Sequence, residues 1–306
     1  MNRVRISRRL QAVAILLLFA AVLAAPAAAE RAFTPAPYYS PEQWLTIGGA
    51  KICYLDEGQG EAMVLVHGWA GNAWNWESVF GPLSEHHRVV VVDLPGHGKS
   101  GCPEGFGYTM PGLADLVVQV MDELKIEKAT VAGSSMGGAV TAWVAIRHPD
   151  RVDRLILVDA AGTGIQNNLM KMAGHLMTPS TVIPLIHLVF PVNEKRQAAV
   201  PVSERKRVVL AEELYASGRK KCAALALART MKSISKDVVD DRLAAVTAPT
   251  LVIWGSDDGL LPRAAGEFYR DHIPGATMVI VPGGNHTPMQ WQPDEFLRVV
   301  NEFMAE

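Results

Sequence analysis

The chain has 306 residues, 49% of them hydrophobic and 20% charged, which excludes a disordered protein and allows one large or two small domains. Its 29 basic and 31 acidic residues give no sign of a nucleic-acid partner. Three cysteines (Cys53, Cys102 and Cys222) without a Cys-x-x-Cys spacing exclude a disulfide framework and a thiolate zinc site, leaving room for one bridge in an oxidising compartment.

The N-terminus reads as an export signal. Arg3, Arg5, Arg8 and Arg9 precede the uncharged apolar run from Leu10 to Ala25, and Pro26-Ala27-Ala28-Ala29-Glu30 resembles a peptidase site, so residues 1–29 are expected to be removed on export to the periplasm or beyond. The alternative is a membrane anchor over residues 10–29, since about 20 apolar residues suffice to span a bilayer. Cleavage would leave 25 basic and 31 acidic residues in an acidic mature protein.

Residues 30–42 are rich in Pro and small or polar groups and read as an irregular lead-in. Short β-prone runs follow at Lys51–Tyr54 and Ala62–Val66, separated by the turn-forming stretch Asp56 to Gly60. The second run ends in His67-Gly68-Trp69-Ala70-Gly71-Asn72. A further run, Arg88 to Val92, ends in Asp93-Leu94-Pro95-Gly96-His97-Gly98-Lys99-Ser100. Unbroken Val runs entering Gly-rich loops suit a sheet covered on both faces. An amphipathic helix over Leu113–Leu124 leads to a strand at Ala129–Ser134, and a second helix extends through Val140 to Arg147. Strand runs recur at Arg154–Asp159, Thr250–Trp254 and Thr277–Val281. The alternation predicts an α/β fold with a mostly parallel sheet whose working residues lie at the carboxyl ends of the strands.

Residues 163–240 break the alternation. They carry helical patterns, apolar side chains such as Met170, Met172 and Phe190, and 12 Lys and Arg against 6 Asp and Glu. They read as an inserted helical cap dividing a core of residues 30–162 and 241–306. Charge runs on helices are mostly solvated faces; the sharper expectation is a basic surface that meets an anionic membrane.

The chemistry centres on Gly133-Ser134-Ser135-Met136-Gly137, where the frame Gly-x-Ser-x-Gly fits Ser135 alone. A strand turning sharply into a helix strains its corner residue, so the neighbours must lack Cβ atoms and the hydroxyl projects above the sheet. A nucleophilic serine needs a base and an orienting acid. Gly255-Ser256-Asp257-Asp258 and Gly284-Asn285-His286 each follow a strand run and supply them in the order Ser, Asp, His. Asp257 is a neighbouring rival for the acid. His67 and His97 sit in Gly-rich turns and read as structural.

With five motifs in this order, the chain from about residue 44 onward resembles the α/β-hydrolase superfamily, in the serine branch, with features of carboxylesterases and lipases and of the hydrolases that cleave carbon-carbon bonds in aromatic ring-fission products. The resemblance implies an eight-stranded sheet with a cap after the sixth strand, Ser135 as nucleophile, His286 as base, Asp258 as acid, and the backbone N–H groups of Trp69 and Met136 as oxyanion donors. It implies no metal and no cofactor. Asp159, after an earlier strand, is where some proteins that the chain resembles place their acid. The expected substrate is a small ester with an apolar acyl group. Carbon-carbon hydrolysis is the alternative, followed by a non-catalytic protein that keeps the fold as a ligand receptor.

Overall fold

The computed structural model describes residues 43–165, 177–182 and 220–306. The expected signal or anchor, the lead-in to residue 42 and most of the 163–240 cap lie outside these residues. Among the described residues no helix is long and apolar enough to cross a membrane.

Eight strands form one sheet: β1 (Gln43–Ile47), β2 (Ala50–Glu57), β3 (Ala62–Val66), β4 (Arg88–Val92), β5 (Ala129–Ser134), β6 (Val152–Val158), β7 (Thr250–Gly255) and β8 (Thr277–Val281), in the order β1-β2-β4-β3-β5-β6-β7-β8. From β4 to β8 all neighbours are parallel, and β1 and β2 add an antiparallel edge. The mostly parallel eight-stranded sheet expected from the sequence is therefore present. Its first strand was not anticipated. β1 has no Val run; its burial alternates and Trp44 is exposed, as suits an edge strand. It joins β2 through Gly48 and Gly49, both at positive φ, the conformation that a two-residue hairpin demands.

The Val runs are buried because both faces of the sheet are covered. On one face Val64, Val66, Val90, Val92 and Val131 cluster with residues of α2 (Met110–Glu123) and α3 (Met136–Arg147), α1 being the helix Glu77–Ser84. On the other, Met63, Leu65, Val89, Val91 and Ile253 cluster with Val79 and Leu83 of α1 and with Phe296 and Val299 near the C-terminus. The chain passes from β3 outward to β4 and then back across β3 to β5, so the sheet order reverses between β3 and β5. In sheets of this kind ligands bind at the carboxyl ends of the strands beside such a reversal.

Of the expected cap, residues 179–182 are helical and a longer helix follows near its end. α4 (Lys220–Ile234) returns to the core and is fastened at several points. Cys222 forms a disulfide with Cys102, in the loop after β4, with the Cα atoms 6.0 Å apart. Arg229 donates to the carbonyl of Phe106 (3.1 Å), and Ser233 Oγ accepts from the N–H of Met110 (2.7 Å) at the start of α2. Gly96 sits at positive φ with the Ala226 methyl directly beneath it, so a Cβ there would collide with α4. The cysteines are 120 residues apart, and closing a loop of that size stabilises a fold by roughly 4–5 kcal/mol in the chain-entropy account, a large share of the ~5–15 kcal/mol total of a typical protein. The Cys102→Ser/Cys222→Ser double variant should therefore lose about 2–5 kcal/mol in denaturant unfolding. A reductant should weaken the parent similarly and leave the variant unchanged; equal midpoints for parent and variant would contradict this.

Candidate active site

Ser135 occupies the corner between β5 and α3 at φ 54°, ψ −117°. This conformation costs on the order of 1–3 kcal/mol and persists only where surrounding contacts over-determine it. They do so here. The Ser135 N–H donates to Val158 O (2.9 Å), while its carbonyl accepts from Gly138 N (3.0 Å) and Ala161 N (3.0 Å), tying the corner to the end of β6. The flanking glycines are obligatory for packing, because a Cβ on Gly133 would enter the Gly137 carbonyl and one on Gly137 the carbonyls of Val66 and His67. Gly68 is a tight neighbour too, since a Cβ there would lie 3.3 Å from Cβ of Ser135. The loop carrying Trp69 thus passes directly beside the candidate nucleophile.

The acid and base meet as a pair. His286 Nδ1 is 2.9 Å from Asp258 Oδ2, and His286 Nε2 is buried without a hydrogen-bond partner. Asp258 Oδ1 accepts from the N–H groups of Leu260 (2.7 Å) and Leu261 (3.1 Å) in its own turn. Burial works to raise the Asp258 carboxyl, but the adjacent His286 charge, its hydrogen bond and the two backbone donors together hold it below the ordinary carboxylate range. The rival Asp257 is exposed and accepts from Ser256 Oγ, away from His286. Asp159, just after β6, is fully buried and lies with Asp258 and His286 so that one potential ligand atom of each falls within 4.8 Å of the others. The Nδ1–H of His286 is committed to Asp258, which suits the group to handling a proton rather than a cation.

The Trp69 indole donates to the carbonyl of Leu227 in α4 (3.0 Å). The loop after β3 is thereby coupled to α4. The N–H of Met136, first in α3, opens a helix whose initial amides have no acceptor within it.

The histidines of the two Gly-rich turns, His67 and His97, make structural hydrogen bonds. His67 Nε2 accepts from the N–H of Leu94 (3.0 Å), which places the proton on Nδ1, where it donates to Gly68 O (2.7 Å). His97 donates from Nδ1 to Pro95 O (3.1 Å), and the two rings lie 5.3 Å apart. Burial first, and then the charge of His97, push the His67 imidazole down to about 3. Burial pushes His97 down to about 4. The rest of the Asp93–Ser100 motif is a knot. Asp93 accepts from Ala73 N (2.8 Å) and Lys99 N (2.7 Å), and Ser100 Oγ donates to Asp93 O (2.6 Å) while accepting from Cys53 N (2.9 Å).

A family profile described as alpha/beta hydrolase fold matches residues 61–189. The dihydrolipoyllysine-residue acetyltransferase component of the acetoin cleaving system of Cupriavidus necator is 30% identical over 276 residues, covering 86% of this chain and 69% of that protein. The chain belongs to the α/β hydrolase family. This α/β hydrolase is also similar to a solved thermophilic esterase from Thermogutta terrifontis, at 25% identity and a TM-score of 0.72 over 86% of this chain and 98% of that one. A meta-cleavage product hydrolase from Pseudomonas fluorescens is similar at 25% identity and a TM-score of 0.68, covering 86% and 97%. The α/β hydrolase is an enzyme of hydrolytic function.

Sequence reasoning did not foresee the turn amides of Leu260 and Leu261 on Asp258, the proximity of Asp159 to the acid–base pair, or the bond from Trp69 to α4. The first has a signal, an Asp followed at two and three residues by turn amides. The other two depend on elements far apart in the chain.

Because the native protein holds His97 neutral and the unfolded chain protonates it near 6.5, its contribution to stability is complete above about pH 6.5 and is lost as pH falls towards about 4. His97→Gln should therefore gain on the parent by about 1.4 kcal/mol per pH unit across that window. Unfolding titrations of the two proteins at several pH values check this, and parallel profiles would show that His97 accepts a proton in the folded state.

Proposed function

We propose that this α/β hydrolase cleaves carboxylic esters of small molecules through an acyl-enzyme formed on Ser135. The observation that carries the reading is the Asp258–His286 pair, with its outer nitrogen buried and unpartnered at the same end of the sheet as the strained serine corner. In this mechanism Ser135 Oγ attacks the ester carbonyl as His286 Nε2 takes its proton, and Asp258 stabilises the imidazolium. The oxyanion is met by the N–H groups of Trp69 and Met136, donors of a kind worth on the order of 3 kcal/mol each. His286 then protonates the departing alkoxide, and a water activated by the same nitrogen releases the acid and restores Ser135. The similarity to the Thermogutta esterase supports ester chemistry.

The similarity to the meta-cleavage product hydrolase favours a second reading, cleavage of a carbon-carbon bond in a vinylogous 1,5-diketone at the same site. We also propose export through residues 1–29, supported by the Cys102–Cys222 bond, because such bonds persist in oxidising compartments.

A panel of p-nitrophenyl esters of increasing acyl length beside a vinylogous 1,5-diketone separates the two chemistries. Ester turnover should dominate, and diketone cleavage without ester turnover would replace the first reading by the second. Ser135→Ala should lower kcat on the order of 10⁴-fold or more and abolish labelling by an active-site phosphonate, while Asp258→Asn should lower kcat on the order of 10³–10⁴-fold. Folded parent protein that the phosphonate leaves unlabelled would sink both. N-terminal sequencing of protein recovered outside the cytoplasm should begin at Glu30; an intact N-terminus in the membrane fraction would instead establish the anchor.

A further inference from the structure

Asp159 has one partner where its burial calls for more. It follows β6 at φ 42°, its Oδ1 accepts from the N–H of Gly255 (2.9 Å), and its Oδ2 is buried with no partner so long as its carboxyl is ionised. The titratable groups that face it are Asp258, from the loop after β7, and His286, from the loop after β8. The end of β5 and the turn after Asp159 supply only Ser134, Ser135, Ala160, Ala161, Gly162 and Thr163, none of which ionises.

Two carboxyl groups this close do not both ionise readily, and one retains a proton. The hydrogen-bond donors decide which. Asp258 receives three, from His286, Leu260 and Leu261, whereas Asp159 receives one, from Gly255. Donors stabilise the ionised form, so the charge settles on Asp258 and the proton on Asp159. Burial, and then the charge of Asp258, raise the Asp159 carboxyl well above the ordinary carboxylate range, in keeping with this assignment.

We propose that Asp159 is a positioning residue, a carboxylic acid kept protonated so that its O–H donates to the Asp258 carboxylate and holds it in register with His286. The orphaned oxygen then has its partner, and the acid–base pair works beside one negative charge instead of two. The proposal rests on the serine hydrolase reading for the role of Asp258 and His286. The location of the proton stands independently of that reading.

Asp159→Asn keeps a donor towards Asp258 and an acceptor for Gly255 without having to retain a proton. Because the native parent holds one proton that its unfolded chain releases above about pH 4, the folding constant of the variant relative to the parent should rise about tenfold per pH unit between about pH 5 and 7. Asp159→Ala removes the donor; kcat for an ester should fall about tenfold with KM nearly unchanged, and Asn at this position should restore most of the loss. Parallel stability profiles for parent and Asn variant would overturn the proposal, as would an acid limb of kcat/KM displaced by a full pH unit in the Asn variant, since either means that Asp159 is ionised in the native enzyme. Should the variants fail to fold, infrared spectroscopy of the parent decides: a buried protonated carboxyl band that persists from about pH 5 to 7 supports the assignment, and its absence refutes it. The stability measurement needs no turnover, so a failure of Ser135 to react with a phosphonate would remove the hydrolase reading without touching it.

Discussion

The conformation of Ser135 is the constraint on which the rest of the molecule depends. A non-glycine residue at φ 54°, ψ −117° stays there only because the strand before it and the helix after it are both immobilised. The Ser135 backbone is bonded to Val158, Gly138 and Ala161, so β6 and α3 serve as its two clamps. Gly137 lets α3 press against the carbonyls at the end of β3, which brings the Gly68 loop alongside. Loosening any of these elements would relax the corner and displace the hydroxyl. The two-sided core, with its alternation of Val side chains into opposite clusters, supplies the rigidity that this strain requires.

A second pattern concerns charge. Ionisable groups cluster at the carboxyl ends of the strands, and burial and hydrogen bonding set their state. His67 and His97 are held neutral by burial, and Asp159 is driven in the same direction. Asp258 collects enough donors to remain charged against burial. A carboxylate held against an imidazole in this way is an arrangement in which transfer of one proton is felt strongly, because burial weakens the screening of its charge.

Much of this was legible in the sequence where a residue type is demanded locally. Ser135 could be found because a strained corner requires glycine at 133 and 137, and the Val runs could be found because a sheet covered on both faces leaves no room for polar side chains. β1 escaped because an edge strand buries only alternate residues. The family resemblance pointed to Asp258 over Asp257, and the structure adds the reason: Asp258 bonds the His286 ring, whereas Asp257 accepts from Ser256 Oγ. Asp159 acquires its neighbours only when β6 and β7 pair, and the cysteine partners only when α4 returns to the loop after β4. Such relations arise from topology, which a pattern of residue types does not encode.

The Cys102–Cys222 bond also changes the covalent topology of the enzyme. Everything between the two cysteines becomes a closed ring, attached to the remainder of the chain at a single junction. A protease that cuts one peptide bond inside that ring opens it without releasing a fragment, and the pieces part only when the sulfurs do. Ser135 lies inside the ring, whereas Asp258 and His286 lie outside it. Ser135 thus stays covalently joined to Asp258 and His286 through a nick between the two cysteines.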